Sequence, residues 1–281
     1  MRHNGPIHKI VFDFSEEVLE FIFSKEFDYE DIDNLLSDNL NQWFLLVTQN
    51  SVEEIDISYY GNAKCRVPIC IFSCPTLKRL RLRKVSVELI NAYCVLPNVT
   101  SLCLNDIDFK PRNCSNYVVY LPMLQYLSFD YCDGICYFNI VAPKLGSLKI
   151  ILYDCSPYYH KKFGVLPPNL DLRSISSFDL SCSPCCFECF NLNPEDFVLM
   201  EELSSVARTL KMLRILKFSP FFGSRSQMQS IKALLACFPE IKKVVIVRDW
   251  IDRFRPDEKF KIKQELLDFS RASTKPEIFY V

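Results

Sequence analysis

One apolar phrase, returning at a near-constant interval, constrains this chain more than any other feature. Pro75–Leu77–Leu80–Leu82, Pro97–Val99–Leu102–Leu104, Pro122–Leu124–Leu127–Phe129 and Pro143–Leu145–Leu148–Ile150 all read Pro-x-Φ-x-x-Φ-x-Φ, with Φ apolar. Their prolines stand 22, 25 and 21 residues apart. Pro239–Ile241–Val244–Ile246 repeats the phrase much later, and copies without the proline occur at Ile7–Ile10–Phe12, Val52–Ile55–Ile57, Ile175–Phe178–Leu180 and Leu213–Leu216–Phe218. The last two apolar positions are two apart, so on a short strand they share a face, while the first turns inward from the approach to it. One copy cannot bury such a face alone. Stacked copies can, and each aliphatic side chain so buried is worth about 1.5–3 kcal/mol.

The period lies within or near that of leucine-rich repeats, and it predicts an α/β solenoid: an irregular horseshoe on a parallel sheet, with its apolar ladder inside. Proline belongs at the strand entrance, where its missing N–H breaks no ladder bond. The usual repeat continues with Asn or Cys three residues after the last strand leucine. Only Cys132 fills that place well, with Val85, Ile107 and Tyr153 elsewhere. Irregular turns follow from this, with a convex side of loops and a few helical turns.

Helices flank the repeats. Ile32, Leu36, Leu40, Trp43 and Val47 fall on one helical face behind the acids Glu30, Asp31 and Asp33. Asn193–Pro194–Glu195–Asp196 reads as a helix start ahead of Leu199, Leu203, Val206 and Leu210. Ser226-x-x-Gln229 resembles a capping box before Met228, Ile231, Leu235 and Phe238. A last helix is expected from about Asp257 to Phe269, before the apolar end Ile278–Val281. The organisation is therefore a capping strand and helix over 1–50, irregular repeats over 51–193, and a more helical C-terminal part over 194–281. No Gly/Ser-rich linker marks the soft boundary near Pro194, so the sheet should continue across it.

Composition removes several functions. With 33 basic against 34 acidic residues, the chain lacks the positive excess of a nucleic-acid or membrane-surface protein. It has 6 glycines where average usage of ~7% would give roughly three times as many, which argues against glycine-rich phosphate cradles. No apolar run approaches a membrane span and Met1–Ser15 does not read as a secretory signal, so a cytoplasmic and/or nuclear location is expected. The 14 cysteines should then remain thiols.

Among the candidate sites, Cys182-x-x-Cys185 and Cys186-x-x-Cys189 are two half-sites for zinc. They abut, whereas structural sites usually separate their halves by a dozen or more residues. Packing or a cysteine-rich loop is favoured, and no metal or other cofactor is expected. Three histidines, His3, His8 and His160, and the lack of any G-x-S-x-G, H-E-x-x-H or Walker phrase argue against an enzyme. Arg248–Arg255 interleaves aromatics with arginines, but Asp249 and Asp252 dilute it.

Residues between the rungs should line the concave face. These are Arg79, Arg81 and Arg83 in one copy, Glu54, Asp56 and Ser58 in the copy before, then Tyr126, Asp130, Lys149 and Asp179. In-register stacking sets Glu54 beside Arg79 and Asp56 beside Arg81. Two readings stay open: lateral charge pairing, worth about 0–1 kcal/mol per exposed pair, and an arginine stripe for an acidic or phosphorylated partner.

Three phrases resemble one family. Leu234–Leu235–Ala236–Cys237–Phe238–Pro239 with Ile241–Lys242–Lys243–Val244, then Glu265–Leu266–Leu267–Asp268–Phe269–Ser270–Arg271–Ala272–Ser273, are similar to the FBD domain of plant F-box/FBD/LRR proteins. Ile71–Phe72–Ser73–Cys74–Pro75–Thr76–Leu77–Lys78–Arg79–Leu80 is similar to that family's first well-formed repeat, and Trp43 fits the helix before it. The resemblance implies a non-catalytic module that binds an unknown protein on its concave face, as the substrate-recognition half of a ubiquitin-ligase receptor does. Family members usually open with an F-box, and residues 1–40 do not read as one. A Skp-type adaptor and cullin are partners only where an F-box is present. Two alternatives remain: a complete receptor whose F-box is missing from this sequence, and a co-receptor holding a small molecule under the arch.

Overall fold

The computed structural model describes residues 7–14, 42, 44, 45, 51–60, 65–67, 69–86, 93–107, 109, 118–135, 138–152, 166, 167, 170–182, 210–221, 228, 229, 231, 232, 235, 236, 238, 240–248, 260, 261, 264–266, 268, 269 and 276–280. They fall into two compact units. The first takes in Met1–Lys144 with Leu166–Leu170, the second Leu145–Val165 with Asp171–Val281.

The first unit holds β1 (Lys9–Phe14), β2 (Glu54–Tyr59), β3 (Cys65–Arg66), β4 (Arg79–Arg83), β5 (Val85–Ser86), β6 (Tyr93–Val95), β7 (Ser101–Asn105), β8 (Val118–Tyr120), β9 (Tyr126–Asp130) and β10 (Ile140–Val141). Strands β1, β2, β4, β7 and β9 pair in that order, all parallel. Their registers align two apolar rows, Ile10–Ile55–Leu80–Leu102–Leu127 and Phe12–Ile57–Leu82–Leu104–Phe129. From β2 to β9 every member is buried, and Leu82, Leu127 and Phe129 are 0% exposed. The copy at Ile7–Ile10–Phe12, which lacks proline, is therefore a true repeat, and β1 is its strand.

A backbone device recurs beneath each strand. The carbonyl of Glu53 accepts from the N–H groups of Lys78 and Arg79, that of Lys78 from Thr100 and Ser101, and that of Thr100 from Gln125 and Tyr126. One oxygen thus uses both lone pairs to set the next strand at the same height. The proline lies further back than the strand entrance. Leu77 N–H bonds the Cys74 carbonyl and Leu124 N–H that of Leu121, so Pro75 and Pro122 occupy the second place of a turn, four residues before the strand begins. Proline suits that place because its ring pre-sets the φ the turn requires.

The strand exits also repeat. Lys84, Asp106 and Tyr131 have φ of 54°, 54° and 58°, each two residues after the last rung. This left-handed step is costly for residues with a Cβ. It turns the following residue inward: Val85 and Ile107 are buried, and the buried Cys132 thiol donates to the Leu104 carbonyl at 3.3 Å. Cys132 thereby satisfies a carbonyl of the neighbouring copy, which the aliphatic residues at this place leave to others.

The expectation of loops and helical turns behind the repeats needs correction. A 3-10 turn does occur at Ile69–Ser73, but β6, β8 and β10 form a second parallel sheet, pairing Cys94–Val119–Ile140 and Val95–Tyr120–Val141. Each strand occupies the residues just before a repeat proline: Tyr93–Val95 before Pro97, Val118–Tyr120 before Pro122, Ile140–Val141 before Pro143. Their constant offset lets them stack as regularly as the rungs. Phe109, Phe129 and Phe138 pack behind β9 with ring centroids 4.7–6.3 Å apart. At the β1 end the helical residue Phe44, 0% exposed, packs on Phe12 at 4.8 Å, while Ile32, Leu36, Leu40, Trp43 and Val47 lie outside the described residues.

The second unit holds β11 (Ser147–Leu152), β12 (Ser177–Cys182), β13 (Ile215–Phe221), β14 (Lys243–Arg248) and β15 (Glu277–Tyr280), parallel and paired in chain order. Its rows are Leu148–Phe178–Leu216–Val244–Ile278 and Ile150–Leu180–Phe218–Ile246–Tyr280. The shared-carbonyl device continues at Gly146, Ser176 and Arg214. So does the turn, with Arg173 and Lys211 in the proline's place, since Ile175 N–H bonds Leu172 and Leu213 N–H bonds Leu210. The register of β13 against β14 shifts between Phe218 and Phe221, where Pro220 has no N–H to give the ladder.

Leu210 is buried ahead of that turn and is not helical, although the sequence pattern put it on a helix; the tertiary turn needs it as its first residue. Residues 193–206 lie outside the described residues, and with them the boundary expected near Pro194; β12 and β13 pair directly across that stretch. The stripe Met228, Ile231, Leu235 and Phe238 is buried, with 228, 229, 231, 232, 235 and 236 helical. Further along, 260, 261, 264–266 and 268 are helical, with Leu266 and Phe269 buried and Phe260 exposed. Lys232 Nζ lies 5.8 Å from the Phe269 ring, joining the two stretches.

Candidate functional site

Since the rungs take the inner face, every second residue of β1, β2, β4, β7 and β9 faces the other way. Register sorts these residues into three rows. The first is Lys9, Glu54, Arg79, Ser101, Tyr126; the second Val11, Asp56, Arg81, Cys103, Ser128; the third Asp13, Ser58, Arg83, Asn105, Asp130. The face carries four basic residues (Lys9, Arg79, Arg81, Arg83) and four acidic ones (Asp13, Glu54, Asp56, Asp130), so its formal charge cancels.

Acids and bases pair directly within two of the rows. Glu54 is ion-paired with Arg79 and has Lys9 Nζ at 3.9 Å on its other side. Asp56 Oδ2 accepts from Arg81 Nη1 at 3.4 Å. Both arginine side chains are 62% exposed, against 26% for Glu54 and 23% for Asp56, so the carboxylates sit low and the guanidinium groups lie over them. Pairs this open add about 0–1 kcal/mol each. Lateral pairing, one of the two readings left open by the sequence, is thus realised for Arg79 and Arg81.

Arg83 differs. Its neighbour in register on β2 is Ser58 and on β7 Asn105, neither of them an acid. Its Nη1 donates to the Tyr60 hydroxyl at 2.7 Å, with the guanidinium carbon 6.0 Å from that ring's centroid. Tyr60 stands three residues past the last rung of its copy, in the same place as Val85 and Ile107. No local pattern points to it, because its partner lies 23 residues further along the chain.

Tyr126 and Asp130 share this face, Tyr126 in the first row and Asp130 in the third. Asp130 accepts from Ser128 Oγ at 2.5 Å, which satisfies a serine only 1% exposed. Lys149 belongs to the second unit, on β11 opposite Asp179. Asp179 in turn accepts from Lys217 Nζ at 2.8 Å and from Ser181 Oγ at 3.1 Å. The six candidates therefore fall on equivalent faces of two units, five on the first and one on the second.

A half-open depression of about 160 Å³ lies on the first unit's face, bordered by Lys9, Glu54, Asp56, Arg79, Arg81 and Cys103. Ligand pockets usually hold ~300–1,000 Å³ and enclose their occupant. Beside the face, Lys78 Nζ donates to Glu53 Oε1 at 2.7 Å, and this bond holds the Glu53 carboxyl below its ordinary range. The described free cysteines are Cys70, Cys74, Cys103 and Cys132, and burial pushes the Cys70 thiol up. Among the described residues no group of His, Cys, Asp and Glu could hold a metal ion; the side chains of Cys182, Cys185, Cys186 and Cys189 lie outside them. No described helix is long and apolar enough to cross a membrane.

Comparison with known proteins follows the repeats. Residues 40–163 match the family model described as "FBD-associated F-box protein At5g56370, LRR repeats". The chain is similar to the Arabidopsis thaliana protein named putative FBD-associated F-box protein At5g56560, 29% identical over 114 residues, covering 40% of this chain and 27% of that protein. It is also similar to FBD-associated F-box protein At5g38590 of the same plant, 27% identical over 123 residues, 42% of this chain and 29% of that one. The chain thus spans less than a third of the length of either relative.

Proposed function

We propose, on the premise that residues 40–163 carry the leucine-rich repeats of the FBD-associated F-box family, that this chain is a non-catalytic module that binds another protein. The reading rests chiefly on the grid of charged and polar groups on β1, β2, β4, β7 and β9. Strands 4.7–4.9 Å apart hold these groups at fixed spacing on a buried apolar ladder, as a recognition surface requires. Mixed and locally neutralised charge suits a protein surface better than a polyanion. The relatives' names carry the word F-box, which supports a role of the substrate-recognition type. Recruitment of a Skp-type adaptor and a cullin belongs to this proposal only for a chain that also has an F-box.

The small-molecule alternative called for a closed pocket lined by convergent basic groups. Arg79 and Arg81 border a half-open depression and are already paired with acids, so the observations favour a protein partner. The test is to purify the tagged chain from cells with the proteasome blocked and identify what accompanies it. A discrete partner lost on joint charge reversal of Arg79, Arg81 and Arg83 supports binding through this face. A partner unaffected by that reversal would place the interaction elsewhere, and adaptor and cullin subunits in the eluate would restore ligase recruitment.

A further inference from the structure

The three arginines of β4 stand two residues apart on one strand and meet different neighbours. Residues 54, 56 and 58 of β2 read Glu, Asp, Ser, and the register carries them onto Arg79, Arg81 and Arg83 in turn. Two of the arginines therefore stand beside acids and the third beside a serine. On its other side Arg83 faces the Asn105 amide. The carboxylates of the third row, Asp13 and Asp130, stand two strands away on either side, farther from Arg83 than its register neighbours Ser58 and Asn105. Among the described residues Arg83 is thus the arginine of β4 that no acid pairs with, and its guanidinium donates to the neutral Tyr60 hydroxyl. A guanidinium presents five N–H donors in a planar fork, and most of them go untaken by the described residues.

We propose that Arg83, oriented by Tyr60 and flanked by Ser58 and Asn105, is the specificity-determining contact of this face and takes an aspartate or glutamate side chain of a protein partner. This rests on the protein-binding reading above and narrows it. Tyr60 holds the guanidinium from one side, so less side-chain freedom is lost when an acid docks. The fork then offers a carboxylate two parallel N–H···O bonds, with the Ser58 hydroxyl and Asn105 amide beside it as further donors. A phosphate is the poorer fit. The face as a whole is neutral, so it exerts no long-range pull on a dianion, and Glu54, Asp56, Asp13 and Asp130 would repel the second charge. Arg79 and Arg81 would have to break existing pairs before serving a partner. Arg83 has no acid pair among the described residues to break.

The test uses the full chain and short random peptides displayed on phage, selected on the wild type. Peptides are expected to share an acidic residue whose change from Glu to Gln weakens binding to the wild type by roughly tenfold or more. On Arg83→Gln the same change should make little further difference, whereas on Arg79→Gln and Arg81→Gln the tenfold loss should persist. Arg83→Lys, which keeps the charge and removes the fork, should lose most of the effect, and unchanged thermal midpoints would show that the variants fold. Peptides binding the wild type and Arg83→Gln alike would overturn this inference and leave the protein-binding reading standing. A peptide with phosphoserine in place of its Glu that binds more tightly would make the site a phosphate reader and overturn the carboxylate assignment. A selection that enriches no peptide would count against both.

Discussion

Leu127 offers the sharpest test of the stacked-rung architecture. It is 0% exposed and lies at the inner face of β9, laterally next to Leu102, with Leu124 and Phe129 buried on the same strand approach. Leu127→Ala removes three carbons, a transfer loss of about 2–2.5 kcal/mol at ~0.8 kcal/mol per methylene. The space they leave is closed in by side chains that are themselves at most 3% exposed, on a strand whose start is anchored by the shared carbonyl of Thr100, so it should collapse little. A residual void of ~50 Å³ at ~24 cal/mol per Å³ adds about 1 kcal/mol, for a total near 3–4 kcal/mol. Urea denaturation followed by far-ultraviolet circular dichroism would read it, with Val11→Ala as the comparison, because Val11 is 57% exposed on β1 and should change stability by less than about 0.5 kcal/mol. A loss below about 1 kcal/mol for Leu127→Ala, or equal effects of the two variants, would refute the claim that these rows form the structural core.

Other outcomes follow from the same geometry. Lys84 has φ of 54°, so Lys84→Val should cost about 1–2 kcal/mol while Lys84→Gly is neutral or mildly stabilising; equal denaturation midpoints for the two would count against the left-handed strand exit. A double-mutant cycle on Asp56→Asn and Arg81→Gln should give a coupling of no more than about 1 kcal/mol that fades in 1 M salt; a larger, salt-resistant value would mean the pair is less exposed than its geometry indicates. Arg173 donates from both Nε and Nη2 to Asp171, and these bonds lower the Asp171 carboxyl below the ordinary aspartate range. A depressed carboxyl stabilises above its unfolded value, and that contribution is lost as pH falls through the folded one. Carboxyl NMR should therefore find Asp171 titrating low in the wild type and returning toward the ordinary range in Arg173→Gln; an identical titration in both would remove the cause assigned here.

The rung positions were legible because they depend on a local pattern. A spacing of two puts Leu80 with Leu82, or Leu102 with Leu104, on one face whatever the chain does elsewhere, and equal heights then place Glu54 beside Arg79 and Asp56 beside Arg81. The sheet of β6, β8 and β10 was equally periodic in Val95, Tyr120 and Val141, two residues before their prolines. It went unread because three-residue strands with mixed polarity give no alternation that stands out from a loop.

By itself, then, the sequence determined where the rung strands lie, which residues they bury and which acids stand beside which arginines, since period and register settle all three. Only the tertiary structure decided how each copy ends and what Arg83 touches. The left-handed steps at Lys84, Asp106 and Tyr131 involve three unlike residues and are imposed by the need to turn Val85, Ile107 and Cys132 back into the core. Tyr60 reaches Arg83 across 23 residues of chain because its copy leaves the strand beside the end of β4, a proximity that no local pattern encodes.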